Sequence, residues 1–336
     1  MNILVTGGAG YIGSHMVTLL MGLGHDVTIV DNFSNSSMDA VDRLSYLCPR
    51  SFLFFEADVN DRKAIEHAFS VSEKKRGKID AVFHFAGLKA VGESSEQPLR
   101  YYQNNVSGTL VLCEIMAKRD VFQLIFSSSA TVYGEPERIP LDEHCRTGAI
   151  NPYGRSKLMA EEMLQDLAAS DDRWKIALLR YFNPVGAHAS GLIGELPTGI
   201  PNNIMPYICQ VATGQREVLN IFGDDYETKD GTGVRDYIHV CDLVEGHWAA
   251  LLYLHGNAGA HVFNLGAGQG NSVTELVDCF EQISGVTINR TVVARRIGDV
   301  GTVYADTTRA QEALGWKTKH DLQDMVRDHW QWAKQH

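Results

Sequence analysis

Tyr153 and Lys157 stand four residues apart in Pro152-Tyr153-Gly154-Arg155-Ser156-Lys157, downstream of three serines, Ser127-Ser128-Ser129, that close an apolar run. On a helix, residues four apart share a face, so the phenol and the ammonium can address one small volume. A free phenol has a pKa of about 10 and is a poor base at neutral pH. Drawing it to about 7 requires stabilising the phenolate by roughly 4 kcal/mol, and a positive Lys157 nearby pushes that way. Ser129 adds a hydrogen bond to the same reacting oxygen. The chemistry these types offer is proton transfer at an oxygen. With twelve tyrosines in the chain, on the order of one Tyr-x3-Lys pair is expected by chance, so the motif depends on its setting.

The elements that position it begin at the N-terminus. Asn2-Ile3-Leu4-Val5-Thr6 reads as a buried strand, followed by Gly7-Gly8-Ala9-Gly10-Tyr11-Ile12-Gly13 and an amphipathic stretch through Leu20. Strand, glycine turn and helix in that order make a dinucleotide site credible. Glycines let the backbone approach a pyrophosphate at the helix N-terminus. Val27-Thr28-Ile29-Val30 is a second strand ending in Asp31, where a carboxylate binds the adenosine ribose hydroxyls. No arginine follows directly in Asn32-Phe33-Ser34-Asn35, so NAD is preferred over NADP. Its oxidised nicotinamide, also cationic, would join Lys157 in favouring a phenolate.

The alternation continues through Ser51 to Glu56, closing on Asp58-Val59 beside the adenine. It resumes with Ala81 to Phe85, ending in Ala86-Gly87-Leu88-Lys89, and with a helical pattern from about Pro98 into Lys118 that carries Asn104 and Asn105. Leu124-Ile125-Phe126 then runs into the serines. This pattern predicts an α/β fold, a Rossmann-type doubly wound parallel sheet with a smaller mixed α/β substrate domain. Gly7, Asp31, Asp58, Phe85 and Ser129 all fall at predicted strand ends and should line one crevice.

Composition sets the outer bounds. The 336 residues suffice for about two domains, and 44% hydrophobic with 21% charged residues reads as soluble and globular. Thirty basic against 41 acidic side chains give a net charge of -11, which disfavours nucleic acid or an anionic membrane as partner. The six cysteines (Cys48, Cys113, Cys145, Cys209, Cys241, Cys279) form no Cys-x2-Cys pair, which suits a reducing compartment and predicts no metal site. Strand-like sequence begins at Asn2 and no run of about 18 apolar residues occurs, so a cytoplasmic location is expected.

After Tyr181 the alternation gives way to glycines, prolines and asparagines. The expected division is 1–182 for NAD and 183–336 for the substrate. Arg235, Arg295 and Arg296 stand out in an acidic chain, and planar guanidinium groups match phosphate oxygens in pairs. Asp321 to His336 reads as an amphipathic helix in which Trp330 and Trp332 pack.

At these residues the chain resembles the extended short-chain dehydrogenase/reductase superfamily, and within it the UDP-glucose 4-epimerase family. The segments carrying the resemblance are Thr6 to Ser14, Phe83 to Ser94, Phe126 to Gly134, Asn151 to Met159, Leu179 to His188 and Gly231 to Val240. The resemblance implies that Ser129, Tyr153 and Lys157 are catalytic. It implies NAD contacts from Asp31, Asp58, Phe85, Lys89, Asn104 and Phe182, to which Gly7, Gly10, Tyr11, Ile12, Gly13, Asn32, Asn35, Val59, Ala86 and Gly87 are added as neighbours. On the substrate side it implies diphosphate contacts from Asn183, Asn203, Arg235 and Arg296, a ribose contact from Asp299, and uracil recognition by the backbone at Asn220 and Phe222. Lys89, Ser129, Tyr153 and Phe182 would touch the sugar side as well. The implied activity interconverts UDP-galactose and UDP-glucose through a 4-keto sugar, in a homodimer joined by a four-helix bundle from the helices after Pro98 and Pro152.

Two departures and two rivals bear on this. Arg296-Ile297-Gly298-Asp299 replaces the family's frequent Arg-Glu-Gly-Asp, and Val303 stands where some members carry tyrosine, leaving room for an N-acetyl group at sugar C2. A 4,6-dehydratase would carry an Asp-Glu pair where this chain has Ala130-Thr131, with no carboxylate until Glu135. A non-catalytic NAD sensor would be expected to have lost Tyr153, Lys157 or the uridine-side residues, and this chain keeps them all.

Overall fold

Asn2-Ile3-Leu4-Val5-Thr6 lacks any turn former, and all five residues are buried in the strand on which the first compact unit is built (β1, Asn2–Thr6). The structure is a computed structural model that describes residues 1–296 and 299–336. The alternation continues with α1 (Tyr11–Gly22), β2 (Asp26–Asp31), α2 (Met38–Leu47), β3 (Leu53–Glu56), α3 (Arg62–Arg76) and β4 (Ala81–His84). Next come α4 (Val91–Glu96), α5 (Pro98–Tyr102), α6 (Gly108–Lys118), β5 (Gln123–Ser129), α7 (Pro152–Ser170) and β6 (Lys175–Tyr181). The chain continues with β7 (Asn183–Val185), α8 (Ile204–Ala212), β8 (Leu219–Phe222), β9 (Val234–His239), α9 (Val240–Leu254), β10 (Gly259–Leu265) and β11 (Gly270–Ser272). They end with α10 (Val273–Ser284), β12 (Arg290–Val293), β13 (Thr302–Val303), α11 (Thr308–Leu314) and α12 (Leu322–Ala333).

The central sheet has seven strands in the order β10-β6-β5-β4-β1-β2-β3. β1 pairs in parallel with β2 and with β4, β2 with β3, and β4 with β5. This is the Rossmann-type α/β fold expected. The chain runs outward from β1 to β3 and restarts at β4 on the other side, so the reversal lies between β1 and β4, where doubly wound sheets take their ligands. Phe69, Phe126 and Trp174 are fully buried in the core beneath it, with Leu4, Val82 and Leu164. Burying each such side chain stabilises by about 1.5–3 kcal/mol.

One segment departs from expectation. The continuous helix predicted from Pro98 to Lys118 is interrupted by a π-helical stretch, Gln103–Ser107. Asn105 sits in it, buried, its side chain bonded to both backbone groups of Leu88 and to Ser156 Oγ (2.9–3.0 Å). Helical periodicity is blind to a single wide turn of this kind.

The chain divides into two compact units: residues 1–134, 147–180 and 244–263 form the first, and residues 135–146, 181–243 and 264–336 the second. In the second, β9 pairs with β11 antiparallel and with β13 and β7 in parallel, while β8 and β12 form a separate parallel pair. Met205, Ile208, Phe280 and Met325 make its core. Ser272 and Asp321 close capping boxes on α10 and α12. Trp330 packs on Phe280 and Trp332 is buried with its Nε1 donating to Glu195 O, the packing role expected of both.

Candidate active site

In the first unit the glycine turn is as tight as its sequence requires. Gly7 lies at φ +69°, and a Cβ there would meet Ala86 N at 2.6 Å; a Cβ on Gly13 would meet Gly7 O at 2.1 Å. Gly10 caps α1 without any side-chain cap bond, so backbone alone faces an anion at the start of Tyr11, Ile12 and Gly13. Asp31 closes β2, its carboxylate accepting from Ala9 N (3.0 Å), Phe33 N (2.9 Å) and Ser36 Oγ (2.7 Å). A carboxylate has about four acceptor sites, so one is left for a ribose hydroxyl. Phe33 holds φ +56°, a region few residues other than glycine adopt, and the bond to Asp31 fixes it there.

Beside it, Asn32 Nδ2 donates to Asp58 Oδ2 (2.8 Å), whose Oδ1 accepts from Asn60. Burial pushes the Asp58 carboxyl up, but these donors outweigh it and hold the pKa below the ordinary value. Val59 is buried, Asn35 and Lys89 are exposed, and Asn104 donates to Asn105 Oδ1 (3.0 Å). Phe85, Ala86 and Gly87 follow β4 directly. Backbone close approach, an acid at β2 and a cap-free helix start fit NAD.

Each serine of β5 meets α7 at a different level. Asn151 caps α7 through Gly154 N (2.9 Å) with Pro152 in the first turn, which sets Tyr153 at the helix start. Ser129 accepts twice from Thr131, through its N (3.2 Å) and Oγ1 (3.0 Å). Its own proton is then left for the phenol of Tyr153, whose pKa the Ser129 hydroxyl pulls down. Lys157 Nζ donates to Ser127 O (2.7 Å) and lies 4.9 Å above the Phe126 ring. Ser128 Oγ donates to Glu161.

Burial raises the Tyr153 pKa above the ordinary value, and the Ser129 hydroxyl opposes this. Burial in turn lowers Lys157 to about 8, with Glu161 opposing, so the side chain remains mostly charged at pH 7.

His84, fully buried at the end of β4, was not singled out by sequence. Thr109 Oγ1 gives its proton to Asn105 O (2.6 Å), so it accepts from His84 Nε2 (3.0 Å), and His84 Nδ1 accepts from Thr6 Oγ1 (2.7 Å). Burial, then the Lys157 charge, hold this ring neutral with a pKa near 3.

In the second unit Arg235 Nη2 donates to Asp299 Oδ1 (2.5 Å) and Nη1 to Val234 O (2.9 Å). Val303 is the strand partner of Arg235, and Asn183 that of Tyr237. Arg296 is exposed, its guanidinium 3.8 Å above the Phe222 ring, and Asp299 N bonds Arg296 O. Arg295 stacks on Tyr226 at 4.0 Å and pairs with Asp225. Asn220 and Phe222 lie on β8, Asn203 starts α8 with Nδ2 on Glu195 (2.7 Å), and Phe182 is buried with its N on Leu265 O. The Ile297-Gly298 departure lies outside the described residues.

A cavity of about 550 Å³ between α10 and α12 is lined by Glu275, Asp278, Lys319 and Gln323 among others. None of the sequence-predicted site residues borders it. Among the described residues no group of three or more His, Cys, Asp or Glu side chains could hold a metal ion, and no helix is long and apolar enough to cross a membrane. Glu161, missed by sequence reading, had a signal: it lies four residues beyond Lys157.

Residues 3–266 match the NAD dependent epimerase/dehydratase family. The chain is 53% identical over 332 residues to UDP-glucose 4-epimerase of Bacillus subtilis, covering 99% of this chain and 96% of that protein. Among solved structures it is similar to UDP-glucose-4-epimerase from Stenotrophomonas maltophila with bound NAD and formylated UDP-arabinopyranose, at 50% identity and a TM-score of 0.95 over 100% of this chain and 98% of that one. It is equally similar in fold to the Bifidobacterium longum enzyme in complex with NAD+ and UDP, at 46% identity, a TM-score of 0.95 and the same coverage.

Proposed function

This chain belongs to the NAD dependent epimerase/dehydratase family, and from that premise we propose that it interconverts UDP-galactose and UDP-glucose by oxidation and re-reduction at C4 of the sugar. The observation that carries the reading is Ser129 at the end of β5 with Tyr153 at the start of α7 and Lys157 one helical turn on, tied to the same strand through Ser127 O. Tyr153 exchanges a proton with the 4-hydroxyl while Ser129 orients the same oxygen. The buried Lys157 charge stays beside the strand backbone and stabilises negative charge developing nearby. NAD, when bound, supplies the hydride acceptor and donor and, oxidised, a positive charge that favours the phenolate. Gly7, Gly10, Tyr11, Ile12 and Gly13 would receive its pyrophosphate. Asp31, with Asn32 and Asn35 beside it, would hold the ribose, and Asp58 and Val59 the adenine; Phe85, Ala86, Gly87, Lys89, Asn104 and Phe182 complete the contacts.

The division of labour is 1–182 for NAD and 183–336 for the UDP-sugar. Arg235, Arg296, Asn183 and Asn203 would take the diphosphate, Asp299 the ribose, and the backbone at Asn220 and Phe222 the uracil. Holding UDP far from the reacting carbon lets the ketone turn its other face before re-reduction. Val303 beside Arg235 leaves space at C2 for an N-acetyl group.

The working form is a homodimer in the cytoplasm. Apolar side chains left exposed on adjacent helices support the dimer: Leu99 on α5 is 81% exposed and Met159 on α7 46%. Leu99→Asp should yield monomers by sedimentation. The activity itself is tested by incubating purified protein with UDP-galactose and no added NAD. Formation of UDP-glucose, with NAD released on denaturation, is the expected result; no product from a folded, NAD-containing protein overturns it.

A further inference from the structure

Behind Tyr153 and Lys157, on the same face of α7, stands Glu161, so the three side chains follow at i, i+4 and i+8. Its carboxylate is fully buried. Ser128 Oγ donates to Oε1. Arg180, at the far end of β6, forks onto it: Nη2 to Oε2 at 2.6 Å and Nε to both oxygens at 3.0 and 3.2 Å. The Arg180 guanidinium is itself 4.9 Å from the Tyr133 ring centroid. Helix α7 is thereby tied to two strands of the sheet at a point one turn beyond the lysine.

We propose that Glu161 is a positioning residue for the proton transfer at Tyr153, its carboxylate, pinned by Ser128 and Arg180, keeping the Lys157 ammonium charged and α7 in register with the β5 serines. The inference rests on the reading of Tyr153 and Lys157 given above. A buried ion pair is weak evidence of stabilisation, because desolvation offsets the attraction, so stability alone does not explain this pair. The lysine needs help. Burial drives it toward the neutral amine, and Glu161 is the group that opposes this. The other groups around it do not assist. His84 on β4 is neutral and would repel Lys157 if protonated. Tyr153 on α7 is held protonated by burial. Tyr133 faces Arg180 on its other side. Arg180 is cationic, its charge kept by the Glu161 bonds against the pull of burial.

Glu161→Gln alone would leave Arg180 as an unpaired buried charge, which is strongly destabilising. The test therefore uses E161Q/R180M, which removes both charges, and E161D, which keeps the carboxylate. Removing Arg180 can only raise the Lys157 pKa, so any fall must come from the lost acid. In E161Q/R180M the basic limb of kcat against pH should move down by about one pH unit or more, while E161D keeps the wild-type limb. The NMR titration of the 13Cε-labelled Lys157 side chain, assigned by its loss in Lys157→Arg, should move in parallel. That readout needs no turnover, so it separates this proposal from the epimerase reading: an inactive wild type whose Lys157 still follows Glu161 sinks only the latter. An unmoved titration in E161Q/R180M, or an equal fall in E161D, overturns the proposal.

Discussion

In the first unit the charged groups at the site, Lys157, Glu161 and Arg180, are buried and bonded to strand ends; in the second, Arg235, Arg295 and Arg296 lie nearer the surface against an acid or an aromatic ring. Both arrangements hold positive charge in an acidic protein, yet they hold it for different ends. A buried charge with fixed partners cannot move, so it suits a reacting atom that must be met at one place. A partly buried pair such as Arg235–Asp299, with side chains 19% and 29% exposed, adds little net to folding because desolvation offsets its attraction, and either partner can exchange its bond for a ligand's. The contrast predicts that changes in the first unit act on the rate and changes in the second act on binding.

Tyr153→Phe tests the contrast with the largest effect. Removing the proton-carrying oxygen should lower kcat by about 10²–10⁴-fold, with KM and bound NAD unchanged; a mainly KM effect would erase the distinction. Arg235→Ala removes charge-assisted hydrogen bonds of about 1.5–3 kcal/mol, so KM for UDP-galactose should rise by roughly 10–100-fold while kcat stays within a few-fold and the urea midpoint hardly moves. A collapse of kcat instead would place Arg235 with the chemistry. Val303→Tyr should reduce turnover of UDP-N-acetylglucosamine about tenfold or more, at roughly 1–3 kcal/mol for a filled pocket, and spare UDP-galactose. Equal turnover by both proteins would remove Val303 from the sugar wall.

The smallest effect is on stability against pH, and it compares one buried histidine from each unit. Burial lowers His84 to about 3 and His329 to about 4, both below the ordinary 6.5. The unfolded chain therefore takes up each proton first as the pH falls. Stability is complete above 6.5 and is lost toward 3 and 4, at roughly 1.4 kcal/mol per pH unit for each ring. His84→Asn and His329→Asn should each flatten the acid limb of urea stability by one such slope. A limb unchanged in either variant would show that ring does not resist protonation.

How much of this was legible in the sequence follows the same division. Strands β1, β2, β4 and β5 each centre on a short run of apolar or β-branched residues, so their ends could be located, and with them Gly7, Asp31, Phe85 and Ser129. The spacing from Tyr153 to Lys157 is a local property of a helix and was readable; Glu161 at the next interval was equally so. Its partner Arg180 was not, because the two meet only through the pairing of β6 in the sheet. The π segment at Asn105 was hidden inside an otherwise regular helical pattern. In the second unit, β7, β11 and β13 are two or three residues long, too short for any periodicity to show. Arg235 and Asp299 find each other across 64 residues, a distance no local pattern spans. Burial, which raises the Tyr153 pKa, is likewise invisible in a sequence.

The account stands most directly on the fate of the hydrogen at C4. UDP-galactose deuterated at that carbon, turned over in ordinary water by the purified protein, should give UDP-glucose that keeps the deuterium at C4. Deuterium lost to solvent, with protium at C4 of the product, would contradict the removal and return of the same hydrogen within one site.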